Sequence, residues 1–207
     1  MDRRELRRAW DAVADDYATG RRADGEDAAL IDDLLEALPT DAVVLDVGCG
    51  DGMRTLANLE GVERIGLDIS GRQLELASRA VPGAHLVGGE MSQLPLRADS
   101  VDGITAYHAV FHVPRAEHPA VYAEFARVLR PGGRLLATVG STGYETVRRN
   151  WLRSGRSMFF STPGRGRTRE QLETAGFEVV WERLVDDPLG STVPFVMAEF
   201  HGGKSSQ

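Results

Sequence analysis

The chain is poor in the residues from which many functional sites are built. Among its 207 residues there is one cysteine, Cys49, which excludes an internal disulfide and any cysteine-built zinc cluster. The five histidines include no HExxH pattern, so no metal is expected. Lysine is almost absent: Lys204 is the one lysine among 24 basic residues. The net charge of −7 weighs against general nucleic-acid binding, which depends on surplus positive charge. No apolar run approaches the ~20 residues that span a bilayer, and the N-terminus MDRRELRRAW has no hydrophobic signal segment. A cytoplasmic protein with neither a nucleic-acid nor a membrane partner is therefore expected. A chain of 207 residues, 42% hydrophobic and 27% charged, suits a single α/β domain spanning 1–207.

What the chain does have is concentrated between Val43 and Thr55, in VVLDVGCGDGMRT. A β-branched apolar run breaks into Gly48, Gly50 and Gly52 and is followed by LANL, which predicts a buried strand, a tight turn and a helix. Glycines at alternate positions remove Cβ atoms, so a ligand can lie directly on the peptide groups. The carboxyl end of a strand is where open α/β sheets bind their ligands. Phosphate-cradling loops read GxGxxG or finish in GKS or GKT, whereas the spacing here is GxGxG. Asp46, just before the turn, would repel a pyrophosphate but help to hold an ammonium, directly or through water.

Further elements follow from periodicity and punctuation. Leu6, Trp10, Val13 and Tyr17 form one stripe of a helix over 2–19, and Leu30 to Leu38 form the core face of a second, closed by Pro39. Strands are expected at Glu63–Leu67, Ala84–Val87, Ser100–Ala106 and Arg134–Val139, then over 177–185 and 193–200, with a polar tail over 201–207. Helices are expected from Pro119 to Leu129 and from a capping box at Thr168–Gln171 to Gly176. Asp68 stands 20 residues after Gly48, where an acid on the neighbouring strand reaches a ribose and accepts from both hydroxyls. It also precedes a capping box, Ser70 with Gln73, and can serve as that helix's N-terminal charge. The fourth strand delivers Tyr107, His108 and His112 to the same sheet edge.

VLDVGCGDG resembles the first motif of the class I S-adenosylmethionine-dependent methyltransferases of the small-molecule kind. Trp10 to Tyr17 fits the family's N-terminal form WDxxAxxY, VDGITAYHAVFHV resembles its fourth motif, and LRPGG its turn into the fifth strand. The resemblance covers residues 5–200. It implies a Rossmann-like α/β fold, a mostly parallel seven-stranded sheet with an antiparallel last strand and helices on both faces. A helical cap (1–40), a cofactor-binding core (41–140), an acceptor insertion (141–167) and a terminal helix and strand pair (168–200) follow from it.

S-adenosylmethionine is then the expected cofactor, with contacts from Tyr17, Asp46, Gly48, Cys49, Gly50, Asp68, Ile69, Glu90, Met91 and Tyr107. In the resembled family an acid near Glu90 accepts from the adenine amine; here Glu90 or the Met91 backbone takes that place, with Ile69 against the ring. Displacement at a sulfonium needs alignment and exclusion of water, and an O or N acceptor must also lose a proton. His112 and His108 are the candidate bases. The insertion lines the acceptor pocket in the resembled family, which points to Trp151, Phe159, Phe160 and Arg149. Tyr144 to Leu152 is read as helix and Met158 to Phe160 as an apolar patch. Residues 146–169 hold seven arginines and no acid, which reads either as an exposed face balanced by acidic neighbours or, if one or two face the pocket, as a site for an anionic small-molecule acceptor. A nicotinamide-dependent oxidoreductase would share the strand, turn and Asp68 but demands GxGxxG. A non-catalytic module that binds S-adenosylmethionine is compatible with every motif.

Overall fold

The computed structural model describes residues 2–19, 25–186 and 192–202. Two helices, α1 (Arg3–Thr19) and α2 (Ala29–Glu36), precede β1 (Val43–Val47), β2 (Glu63–Asp68), α3 (Gly71–Ala80), β3 (His85–Gly88) and β4 (Val101–Ala106). Then come α4 (His118–Val128), β5 (Leu129–Thr138), a hairpin of β6 (Gly143–Arg148) and β7 (Met158–Pro163), α5 (Arg165–Thr174), β8 (Phe177–Asp186) and β9 (Thr192–Phe200). Seven strands form one sheet in the order β3-β2-β1-β4-β5-β9-β8. The first five run parallel, and β9 lies antiparallel between β5 and β8, with Arg134 opposite Glu199 and Thr138 opposite Phe195. The expected antiparallel last strand is therefore present.

β1 reads VVLDV without alternation because both of its faces are covered. On one side Val121 and Phe125 of α4 and Leu172 of α5 pack against Leu45, Ile104 and Leu135. On the other, Leu30, Ile31 and Leu34 of α2 meet Val44, Leu136 and Met197. Each fully buried side chain of this size contributes roughly 1.5–3 kcal/mol, so the two sheet faces hold most of the apolar stabilisation. Among the described residues no helix is long and apolar enough to cross a membrane.

Three expectations about local structure need correction. The segment after β1 forms no α-helix, only a 3-10 turn at Leu56–Asn58. The stretch is bounded by Gly52 (φ +81°) and Gly61 (φ +78°), whose left-handed conformations break helical geometry at both ends before β2 begins. The link from β3 to β4 is also non-helical. It is pinned to α4 instead, where Glu124 accepts from the Leu94 N–H at 2.7 Å and Arg127 donates to the Leu94 and Leu96 carbonyls at 3.0 and 2.9 Å.

Residues 144–148, read as helix, are strand β6. Thr146 and Val147 lie opposite Phe160 and Phe159, so β-branched and aromatic side chains pair across the ladder and override helical propensity. Finally, α5 begins at Arg165 rather than at the Thr168 capping box. Gly164 (φ +86°) starts the helix, and its carbonyl accepts from the Thr168 N–H at 2.9 Å. Residues 20–24 and the tail from residue 203 lie outside the described residues.

Candidate active site

The strand order reverses at β1, which is flanked by β2 and β4, and a crevice opens beyond the carboxyl ends of these three strands. It encloses a cavity of about 320 Å³, within the range of small-molecule sites. The floor is the glycine turn, lashed to β2 by the Gly48 and Cys49 N–H groups, which donate to the Leu67 carbonyl at 2.7 and 3.0 Å. A Cβ on Gly48 (φ +72°) would stand 2.6 Å from Ala109 Cβ, so the turn packs here against the segment after β4. A Cβ on Gly50 (φ +55°) would meet nothing nearer than Gln73 Oε1 at 3.9 Å. Gly50 thus lays bare backbone along the cavity wall.

Asp68 closes one end. Its two carboxylate oxygens accept from the Gly50 N–H at 3.0 Å and the Ser70 N–H at 2.8 Å, which fixes the side chain beside the turn. Burial raises its pKa to about 6. Ser70 Oγ caps α3 by accepting from the Gln73 N–H at 3.1 Å, as the capping box requires. The reciprocal bond is missing, because Asp68 occupies the Ser70 N–H. The Gln73 side chain turns into the cavity instead, only 1% exposed, and its amide oxygen and nitrogen have no protein partner. An orphaned buried amide costs about 1–3 kcal/mol unless a ligand satisfies it.

Asp46 does not reach the cavity. Its carboxylate is buried one layer below, held by the hydroxyl donors Thr55 and Thr105 (2.8 Å for the latter), and burial raises its pKa to about 6. The Asp46 carboxylate therefore braces the floor from beneath. Burial likewise lifts the Cys49 thiol well above its usual range, which leaves it an inert small side chain rather than a nucleophile.

Helix α1 roofs the cavity and is fastened along its length. Arg3 pairs with Glu90, with Glu117 at 2.6 Å and with Ser92 at 2.9 Å; Asp11 accepts from Ser70 Oγ at 2.7 Å; Asp15 pairs with Arg72 at 2.5 Å. Trp10 and Tyr17 descend from it, their rings 5.1 Å apart. Trp10 meets His112 edge-on at 5.0 Å. Behind this layer the β6–β7 hairpin supplies Trp151, 5.3 Å from Trp10, and Phe160, 4.9 Å from His112.

His112 has the most defined chemistry. Its Nδ1 lies 2.8 Å from the Phe159 carbonyl oxygen, which can only accept, so the ring proton is on Nδ1 and Nε2 keeps its lone pair. Burial lowers the pKa to about 4, so the ring is neutral throughout the physiological range. His108 also borders the cavity, held at φ +52° with its N–H donating to Thr138 Oγ1 at 2.7 Å. His118 is buried off the cavity with Nε2 2.9 Å from the Val113 carbonyl. His108 and His112 are four residues apart, but no group of three or more metal-ligating side chains occurs among the described residues.

Eleven residues expected at the site line the cavity: Tyr17, Gly48, Cys49, Gly50, Asp68, Ile69, Glu90, Met91, Tyr107, His108 and His112. Asp46, Arg149, Trp151, Phe159 and Phe160 do not. Asp51, Arg54, Gln73 and Ala109 were missed. For Gln73 a signal existed: with Ala77 it occupies the buried stripe of α3, a position where a polar side chain needs a reason. Arg54 forms a buried ion pair with Asp27, whose carbonyl accepts from Tyr107 Oη at 2.9 Å. That pairing joins distant segments, and no local pattern announces it.

Residues 45–137 match a protein family described as a methyltransferase domain. The chain belongs to the class I S-adenosylmethionine-dependent methyltransferase family. The chain is 33% identical over 165 residues to squalene methyltransferase 2 of Botryococcus braunii, covering 72% of this chain and 42% of that one. It is 38% identical over 116 residues to methyltransferase GfsG of Streptomyces halstedii, covering 51% and 41% respectively. The chain thus spans about two fifths of the length of these relatives. Among solved structures, an S-adenosylmethionine-dependent methyltransferase of Methanosarcina mazei superposes with a TM-score of 0.71 at 20% identity, over 81% of this chain and 96% of that one. The cyclase SpnF superposes with a TM-score of 0.75 at 16% identity, over 98% of both chains.

The cavity fits the family's cofactor on its own terms. Gly50 leaves room for a ligand on its backbone, Gln73 presents an unsatisfied donor and acceptor, and Asp68 offers a carboxylate at the ribose distance along the chain. Asp68→Ala is expected to weaken S-adenosylhomocysteine binding by about 1–3 kcal/mol, through the loss of one or two hydrogen bonds. The interaction also depends on pH. A protonated Asp68 cannot accept from both hydroxyls, so affinity should fall as pH drops through about 6, and the Asp68→Ala variant should lose that dependence. Titration calorimetry at several pH values reads both effects. Wild-type affinity that stays flat down to pH ~5 would remove Asp68 from the binding surface.

Proposed function

We propose that the protein transfers a methyl group from S-adenosylmethionine to a small, largely apolar acceptor, with His112 Nε2 as the proton acceptor. The observation that carries this is His112 itself. It is a neutral imidazole whose tautomer is fixed by a backbone carbonyl and whose lone pair lies on a cavity wall shared with Trp10. When bound, S-adenosylmethionine supplies an electrophilic methyl on a sulfonium that is already a good leaving group. Gly50, Gln73 and Asp68 hold the nucleoside end, and Ile69 and Met91 offer apolar surface for the base. Trp10 and Tyr17, under the pinned α1, place aromatic rings beside the transfer region and exclude water from it. His112 Nε2 takes the acceptor's proton as its oxygen or nitrogen attacks, and Phe159 steadies the imidazolium through Nδ1.

An anionic acceptor was one of the two readings of the arginines, and none of the seven lines the cavity. Arg165 and Arg169 pair with Glu182, Arg167 pairs with Glu170, and Arg148 stacks over Phe160 at 4.6 Å from its centroid. The neutral, aromatic setting of His112 favours an acceptor without a carboxylate or phosphate near the reacting atom. Squalene methyltransferase 2, by its name, acts on a hydrocarbon, which is in keeping with an apolar acceptor. A cytoplasmic setting suits a soluble donor. Formation of S-adenosylhomocysteine across a panel of neutral and anionic acceptors is the test. Turnover confined to anionic acceptors would overturn the apolar assignment. Product formed from the acceptor without loss of the donor's methyl would favour a non-methylating role, of the kind SpnF's description as a cyclase makes concrete.

A further inference from the structure

The tip of the β6–β7 hairpin is built to face outward, and its composition is unlike that of the rest of the chain. From Thr146 to Ser157 there are four arginines (Arg148, Arg149, Arg153, Arg156) and no acid, in a chain of net charge −7. All four are exposed. Two large apolar side chains stand among them in water, Val147 at 47% and Leu152 at 44% exposure. The loop between the strands is ordered by its own bonds: the Trp151 N–H donates to the Arg156 carbonyl at 2.8 Å, and the Gly155 N–H to Asn150 Oδ1 at 2.8 Å. Trp151 turns inward onto Trp10 and Tyr17, which anchors the tip beside the cavity roof.

Asn150, Leu152 and Arg153 are held at φ +50°, +53° and +58°. Left-handed conformations are costly for side chains such as Leu and Arg, and they persist where the surrounding structure imposes them. Here the imposed shape keeps Leu152 out of the core.

We infer that this tip is a docking surface for an anionic lipid bilayer. Arginine forks suit phosphate groups, and apolar side chains set between them suit the boundary beneath. Charge complementarity fixes the orientation, because the acidic remainder of the chain is repelled by the surface that attracts the tip. The sequence excluded a membrane partner only by lacking a spanning segment, and a peripheral contact needs none. An RNA partner is less well matched, since the tip offers exposed aliphatic side chains and turns its one aromatic ring inward. Docking in this orientation would bring the aromatic layer of Trp151 and Trp10 close to bilayer-dissolved molecules. That consequence, unlike the docking itself, rests on the apolar-acceptor reading.

Vesicle co-sedimentation of the full chain tests the inference without reference to turnover. Vesicles of phosphatidylcholine alone are compared with an equal mixture of phosphatidylcholine and phosphatidylglycerol. Binding is expected to the mixed vesicles at low salt, to fall steeply as salt rises, and to be weak on phosphatidylcholine. Each arginine near the surface contributes on the order of a fivefold factor, so R149Q/R153Q/R156Q should weaken partitioning ~10²-fold. Leu152→Ser, which leaves the charge unchanged, should weaken it by a smaller factor. Circular dichroism of the variants, whose changed side chains are all exposed, confirms that they fold. No binding to mixed vesicles, equal binding by the triple variant, or tighter binding to an RNA oligonucleotide than to the mixed vesicles would each overturn the inference.

Discussion

His112→Ala should lower turnover by ~10²–10⁴ while S-adenosylhomocysteine still binds. The substitution removes the one buried imidazole whose Nε2 is presented to the cavity, and it touches none of Gly50, Gln73 or Asp68. It also leaves the Phe159 carbonyl without its donor and opens a void beneath Trp10 and Phe160, so some stability, about 1–3 kcal/mol, should go with it. The rate must therefore be expressed per folded molecule.

The wild-type pH profile adds an independent sign. With its pKa lowered to about 4, His112 stays neutral as pH falls from 7, so kcat should hold down to near pH 4. The apparent KM for the donor should already rise below about 6, where Asp68 takes up a proton. A kcat that titrates together with KM, or a His112→Ala rate within a few-fold of wild type, would reduce His112 to a packing residue.

Gly48→Ala should cost about 2–5 kcal/mol of stability. A left-handed residue with a Cβ costs about 1–2 kcal/mol, and overpacking against Ala109, whose Cβ lies 2.6 Å from the new atom, adds about 1–3. That is a large part of the ~5–15 kcal/mol by which a domain is stable. Gly50→Ala makes the instructive contrast. It bears the conformational cost alone, since the new atom enters open cavity, so it should fold yet bind S-adenosylhomocysteine poorly. Chemical denaturation and calorimetry on the pair separate the two roles. A Gly48→Ala protein as stable as wild type, or a Gly50→Ala protein that binds normally, would contradict the turn geometry.

The cavity around the glycine turn was legible because its signals are local. The alternate glycines, Asp68 twenty residues on and the edge residues Tyr107, His108 and His112 each follow a strand, and a parallel sheet brings strand ends to one crevice. Asp46 shows the limit of that reading. It sits where an ammonium ligand was expected, yet Thr55 and Thr105 turn its carboxylate into a brace below the floor. Side-chain direction within a strand was knowable; the hydroxyls that would claim the oxygens were not.

The 141–167 segment was read less well because its path depends on how it folds back. Residues 144–148 are a strand only because Met158, Phe159 and Phe160 lie opposite to pair with them. Once the hairpin forms, Phe159 contributes its backbone to His112, and Trp151 backs the roof rather than lining the cavity. That the arginines could balance acidic neighbours was legible; that Arg165, Arg167 and Arg169 find them at Glu182 and Glu170 was not.

The most direct test is a crystal structure with S-adenosylhomocysteine bound. The ribose is predicted to lie on Asp68, the ligand to run over Gly50 with Gln73 bonded to it, and the sulfur to face the pocket bounded by Trp10 and His112. A nucleoside bound elsewhere, or a sulfur directed away from His112, would contradict the account.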